Sequence, residues 1–117
     1  MKLQLEGQRL RFRIDEAELA RLLAGDTLVD QTRLGPVQAS ERRLQLHDDD
    51  ALALDWNIDG ITLALPRAAV QDYVAGLPRR DALRLTLGDA STALDLDFEV
   101  DVRDSVRTRR PRATRGA

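Results

Sequence analysis

Apolar residues occupy alternate positions at Leu3 and Leu5 and again, beyond Gly7, at Leu10, Phe12 and Ile14, with Gln4, Glu6, Arg9, Arg11 and Arg13 set among them. Alternation on both sides of a glycine predicts a hairpin with one buried face. The period then changes. Asp15 followed three residues later by Glu18 is a capping-box signal, in which the Asp carboxylate accepts an orphan backbone N–H of the first helical turn. Leu19, Leu22 and Leu23 continue at helical spacing, and Gly25 is placed to end the helix in a left-handed conformation. Residues 28–34 read as a strand stopped by Gly35-Pro36. Residues 42–47 read as another, with Leu44 and Leu46 inward and Arg43 and Gln45 outward.

From residue 51 the order recurs. Leu52, Leu54, Trp56 and Ile58 predict a strand, and Asp59-Gly60 is a hairpin signal of the type I′ kind. Ile61, Leu63 and Leu65 predict the returning strand. Pro66 suits a helix start, Val70, Tyr73 and Val74 form its apolar stripe, and Gly76 and Pro78 end it. Leu83, Leu85 and Leu87 form a strand, Gly88-Asp89 a turn, and Leu94, Leu96, Phe98, Val100 and Val102 a last strand.

Moving the first half along by 51 residues lays Leu3 on Leu54, Leu5 on Trp56, Leu10 on Ile61, Phe12 on Leu63, Ile14 on Leu65, Leu22 on Tyr73 and Gly25 on Gly76, with a slip of two residues at the following strand. The fold class predicted is α+β: two pseudo-repeated ββαββ units, residues 1–50 and 51–102, in a single domain. They form a mainly antiparallel core, barrel-like or two-sheet, with two helices over its ends or faces. One apolar sheet face cannot be buried by a single unit alone. The predicted core is Leu10, Phe12, Leu22, Trp56, Leu63, Val74, Leu85, Leu96 and Phe98.

Composition changes this picture in a few respects. The chain has 117 residues, of which 43% are hydrophobic but only 3% aromatic, so the core is aliphatic. It has no cysteine, which removes disulfides, thiolate metal sites and cysteine nucleophiles together. The alternating start lacks the apolar run of a secretory signal, and no stretch is long enough to span a bilayer; the expectation is a soluble cytoplasmic protein. The net charge of −2 conceals a split, since residues 103–117 carry net +5 and the remainder net −7. The tail is too polar and too rich in Arg and Pro to fold, and is expected to be disordered.

The opening MKLQLEGQRLRFRI, the helix DEAELARLLAG and the closing LDLDFEVDV, with its Asp97-Phe98 pair, resemble a family of short bacterial proteins of unknown function. The resemblance covers about two-thirds of the chain and rests on structural rather than chemical motifs. Glu6 stands where the family usually has Lys, and an arginine tail replaces an acidic end. The resemblance implies no activity, catalytic residue, ligand or cofactor.

Chemistry-bearing patterns are few. Asp48-Asp49-Asp50 beside His47 has metal-ligand residue types, but consecutive aspartates lack the alternate spacing of a calcium loop and read as a solvated linker. His47, the sole histidine, lies near no serine in a nucleophile-elbow context. No catalytic residue, metal site or cofactor is implied. Arg9, Arg11 and Arg13 project from one strand face, and Asp95, Asp97, Glu99 and Asp101 from another. Neighbouring strands would pair these stripes; otherwise the arginines form a candidate anion-binding face. Arg103, Arg107, Arg109, Arg110, Arg112 and Arg115 are candidate contacts for nucleic acid or a protein partner. The function expected is a non-enzymatic interaction module that self-associates or binds a protein partner through exposed strands. Alternatives are nucleic-acid binding through the tail, or a small-anion binder or enzyme using a groove between the halves.

Overall fold

The opening alternation folds into a hairpin because its small loop, Gly7-Gln8, begins with a glycine at φ 56°. In the computed structural model, which describes residues 1–36, 38–78 and 81–102, β1 (Lys2–Glu6) pairs antiparallel with β2 (Arg9–Asp15). Leu3 lies opposite Phe12 and Leu5 opposite Leu10. Asp15 then ends β2 and caps α1 (Glu16–Leu23). Its carboxylate accepts the Glu18 N–H at 2.7 Å while the Glu18 carboxylate accepts the Asp15 N–H at 3.1 Å, the reciprocal box anticipated from sequence. The helix closes with Gly25 at φ 102° and with the Gly25 and Asp26 N–H groups bonded to the Leu22 and Arg21 carbonyls.

The chain continues through β3 (Leu28–Leu34), β4 (Gln38–His47), β5 (Ala53–Asn57), β6 (Gly60–Pro66), α2 (Arg67–Ala75), β7 (Leu83–Leu87) and β8 (Leu94–Asp101). A single 3-10 turn, Ala90–Thr92, precedes β8. Among the described residues the eight strands form two four-stranded sheets, with no closed barrel. The first has the order β1-β2-β8-β7 and the second β3-β4-β6-β5. Every outer pair is an antiparallel hairpin, whereas the central pairs, β2 with β8 and β4 with β6, are parallel. Each half of the chain thus contributes one hairpin to each sheet.

Exchanging β1–β4 with β5–β8 converts one sheet order into the other, and the register follows. Leu3 opposite Phe12 corresponds to Leu54 opposite Leu63, both displaced by 51 residues. The slip in the later hairpins is larger than the sequence suggested: Leu28 opposite Leu44 corresponds to Leu83 opposite Phe98, displacements of 55 and 54.

The two parallel ladders supply the centre of the core. Leu10, Phe12 and Ile14 face Leu96, Phe98 and Val100 across one; Leu44 and Leu46 face Leu63 and Leu65 across the other. All but the half-buried Leu46 are buried in one continuous cluster with Leu19 and Leu22 of α1 and Val70 and Tyr73 of α2. The Tyr73 ring meets the Phe98 ring edge-on, with centroids 6.0 Å apart. Helix α1 touches both sheets, and α2 spans from β6 to β7.

Three expectations need correction. Trp56 is not in the core but 60% exposed, because β5 is an edge strand and Trp56 lies at its turn end. Val74 and Leu85, also expected in the core, are half-buried. The hairpin after β5 turns through Ile58-Asp59 rather than Asp59-Gly60: Asn57 pairs with Gly60, whose φ is 144°, and neither loop residue has positive φ, so the turn is not type I′.

These burials set opposite outcomes for two aromatic truncations. Phe98→Ala is expected to cost about 3–5 kcal/mol, the usual range for a buried Phe, and Trp56→Ala less than about 0.5 kcal/mol, as for an exposed site. Urea denaturation midpoints of both variants check this; equal losses would mean that Trp56 is core after all.

Candidate functional site

The outer face of the first sheet holds the two charged stripes. The β2–β8 register sets Arg9 beside Asp95, Arg11 beside Asp97 and Arg13 beside Glu99. Asp97 is 1% exposed, roofed by arginine side chains: Arg11 Nη2 donates to its Oδ2 at 3.4 Å, with Arg9 Nη1 4.0 Å and Arg84 Nε 3.6 Å from the carboxylate. Arg13 pairs with Glu99 at 3.2 Å. The arginines Arg9, Arg11 and Arg13 are therefore engaged by the acidic stripe of β8, the ion-paired one of the two arrangements the sequence left open. The Arg13–Glu99 pair, partly exposed on both sides, is worth only about 0–1 kcal/mol. The Asp97 carboxylate is instead buried, so that removing its arginines would leave a charge out of water without a partner.

His47 ends β4, where its Nε2 lies 2.7 Å from the Ala51 carbonyl. Asp48 is bound by Arg67 Nε at 3.0 Å, and Asp49 is exposed 3.8 Å from His47. The aspartate run serves the connection from β4 to β5. The arginines from Arg103 onward lie outside the described residues.

A different site emerges on the inner faces, beside the turns of the second sheet. Along β4, parity with Leu44 places Ser40 and Arg42 inward, and the β3 partners of these residues, Thr32 and Asp30, face the same way. Arg42 Nη2 donates to Asp30 Oδ2 and to Thr32 Oγ1, each at 2.7 Å. The Arg42 hydrogen bond, opposed by burial and aided by the Arg42 charge, holds the Asp30 carboxyl below its ordinary pKa of 3.8. In the first sheet the register-equivalent inner positions are Leu85, Leu87, Leu94 and Leu96. Polar side chains at this inner corner are therefore a property of the second sheet and not a requirement of the fold.

Around Arg42 and Ser40 runs a groove of about 260 Å³ walled by Leu3, Leu5, Leu34, Trp56, Ile58 and Ile61. Four of these are largely exposed: Leu5 at 54%, Leu34 at 56%, Trp56 at 60% and Ile58 at 81%. Scattered exposed apolar residues are ordinary, but here four large ones gather around one concavity. The groove brings together β1 of the first sheet with β3, β4, β5 and β6 of the second, and it contains Trp56 but neither Arg9 nor Arg11.

Sequence reasoning placed Trp56 in the core and did not single out Leu5, Leu34, Ile58 or Arg42 for a groove between the halves. Parity counted back from Leu44 would have turned Arg42 inward, and that conflict between pattern and polarity was the available signal. No family model, curated protein or solved structure matches the chain.

The Asp30–Arg42 contact has a pH signature. A carboxyl with a depressed folded pKa adds stability that is complete above its unfolded pKa and disappears as the pH falls through the folded one. Asp30 is expected to titrate below 3.8 by carboxyl NMR, and Arg42→Leu to return it towards that value. An Asp30 titration unchanged by Arg42→Leu would show that the contact is absent in solution.

Proposed function

We propose that this chain is a non-enzymatic interaction module that works by self-association, using the groove face of the second sheet. The observation that carries the reading is the grouping of Leu5, Leu34, Trp56 and Ile58, all more than half exposed, around one groove. Leaving this apolar area in water is unfavourable by about 25 cal/mol per Å², and covering it with another apolar surface recovers that free energy. Among the described residues no helix is long and apolar enough to cross a membrane, and we place the protein in the cytoplasm. The matching register of the halves supports descent from one duplicated ββαββ unit.

Sedimentation equilibrium of the full chain tests the function. The weight-average mass should rise with concentration from 13.1 kDa towards twice that value. The emission of Trp56, the sole tryptophan, should move to the blue in parallel as the ring loses water. Leu34→Arg should hold the mass at the monomer value without lowering the unfolding midpoint, since Leu34 is exposed. A mass that stays at 13.1 kDa at every concentration would overturn the reading.

A further inference from the structure

The loop from β5 to β6 is where the two halves differ in a way the fold does not demand. The β1–β2 loop is Gly7-Gln8; its register equivalent is Ile58-Asp59. A position that needs no side chain in one half thus carries, in the other, the most exposed large apolar residue among the described residues, Ile58 at 81%. An isoleucine at a turn tip gains nothing from burial within its own chain.

The tip is also held firmly. Gln38 Nε2 donates to the Ile58 carbonyl at 2.7 Å, the Asp59 N–H donates to Asn57 Oδ1 at 2.8 Å, and the Glu41 N–H donates to the Asp59 carbonyl at 2.9 Å. Gly60 passes so close to β4 that a Cβ built on it would lie 1.8 Å from the Glu41 carbonyl oxygen. A projecting side chain on so constrained a turn loses little further freedom on docking, which is the advantage of preorganisation.

Beside this projection lies the groove. Its volume of about 260 Å³ falls below the ~300–1,000 Å³ of small-molecule pockets and suits one or two aliphatic side chains. Projection and cavity therefore sit on one patch of one chain. That is the requirement for an isologous contact, in which each copy presents the same surface and residue i of one meets residue j of the other. Electrostatics oppose a second copy least at this place. Residues 1–102 carry net −7, so two bodies repel over most of their surface. The groove walls hold no acidic residue, and Arg42 is matched by Asp30, so here like meets a neutral surface.

We propose that a second copy of this chain docks about a two-fold axis with Ile58 of each copy seated in the other's groove, against Ser40 and Arg42 and between Leu5 and Trp56. This deepens the self-association reading and rests on it.

The absence of cysteine makes engineered thiols clean reporters. Full-length Ile58→Cys and Ser40→Cys are mixed with a short thiol-reactive crosslinker, and Ile58→Cys is mixed in parallel with Gln4→Cys, on the outer face of β1. The expected result is a linked species of doubled mass from the first mixture, in clear excess over the second and over either variant alone. Ile58→Asp should halve the weight-average mass at high concentration and leave the unfolding midpoint unchanged. If the unmodified protein dimerises but Ile58 links to Ser40 no better than to Gln4, or Ile58→Asp still dimerises, this geometry is wrong while self-association stands. A protein that remains monomeric at every concentration removes both. A monomer whose Trp56 emission shifts on adding an extended apolar peptide has a different protein as its occupant, which also overturns the proposal.

Discussion

Two parallel strand pairings hold this molecule together. Within each half, hairpins form from neighbouring residues, and a lone hairpin is marginal in water. What makes them a structure is β2 lying alongside β8, and β4 alongside β6, so that each sheet joins a hairpin from one half to a hairpin from the other. The buried residues follow from that arrangement. Phe12 is buried because Phe98 lies beside it, and Leu44 because Leu63 does. Neither half contains both members of either central pair, so neither is expected to keep its apolar face dry alone.

The same pairings decide where charge goes. On the outer face of the first sheet the parallel register brings the arginines of β2 against the acids of β8, and Asp97 is covered well enough to be excluded from water. On the inner face of the second sheet, polar residues occupy positions that are all leucine in the first: Asp30, Thr32, Ser40 and Arg42 against Leu85, Leu87, Leu94 and Leu96. A chain organised in matching halves provides its own control. Differences at equivalent positions point to something other than folding, and here they gather at one groove.

Much of the local structure was legible because it is written in short-range patterns. The capping box at Asp15 and Glu18, the glycine after α1 and the parity of Leu44 and Leu46 each act over a few residues, and each is present as expected. Strand partnership was less legible: Arg11 and Asp97, neighbours across the β2–β8 ladder, stand 86 residues apart, and alternation says which way a side chain points without saying which strand lies beside it. Trp56 was misplaced for the same reason, since its parity is inward but its strand is an edge. Arg42 escaped notice because a polar residue on an inner face breaks the pattern by which inner faces are recognised.

The interlocking of the hairpins also governs the order in which a ribosome can deliver this fold. The second sheet is built from one continuous stretch, Leu28 to Pro66, and can assemble as soon as that stretch has emerged. The first is divided between the opening hairpin and strands that begin at Leu83. For most of synthesis β1 and β2 therefore wait, with Leu10, Phe12 and Ile14 lacking their eventual neighbours, until β8 arrives. Exposed apolar strand faces of this kind are what nascent-chain chaperones recognise and what drives aggregation when synthesis outpaces protection. A pause or truncation after β6 would leave a finished second sheet joined to an opening hairpin whose β8 does not yet exist.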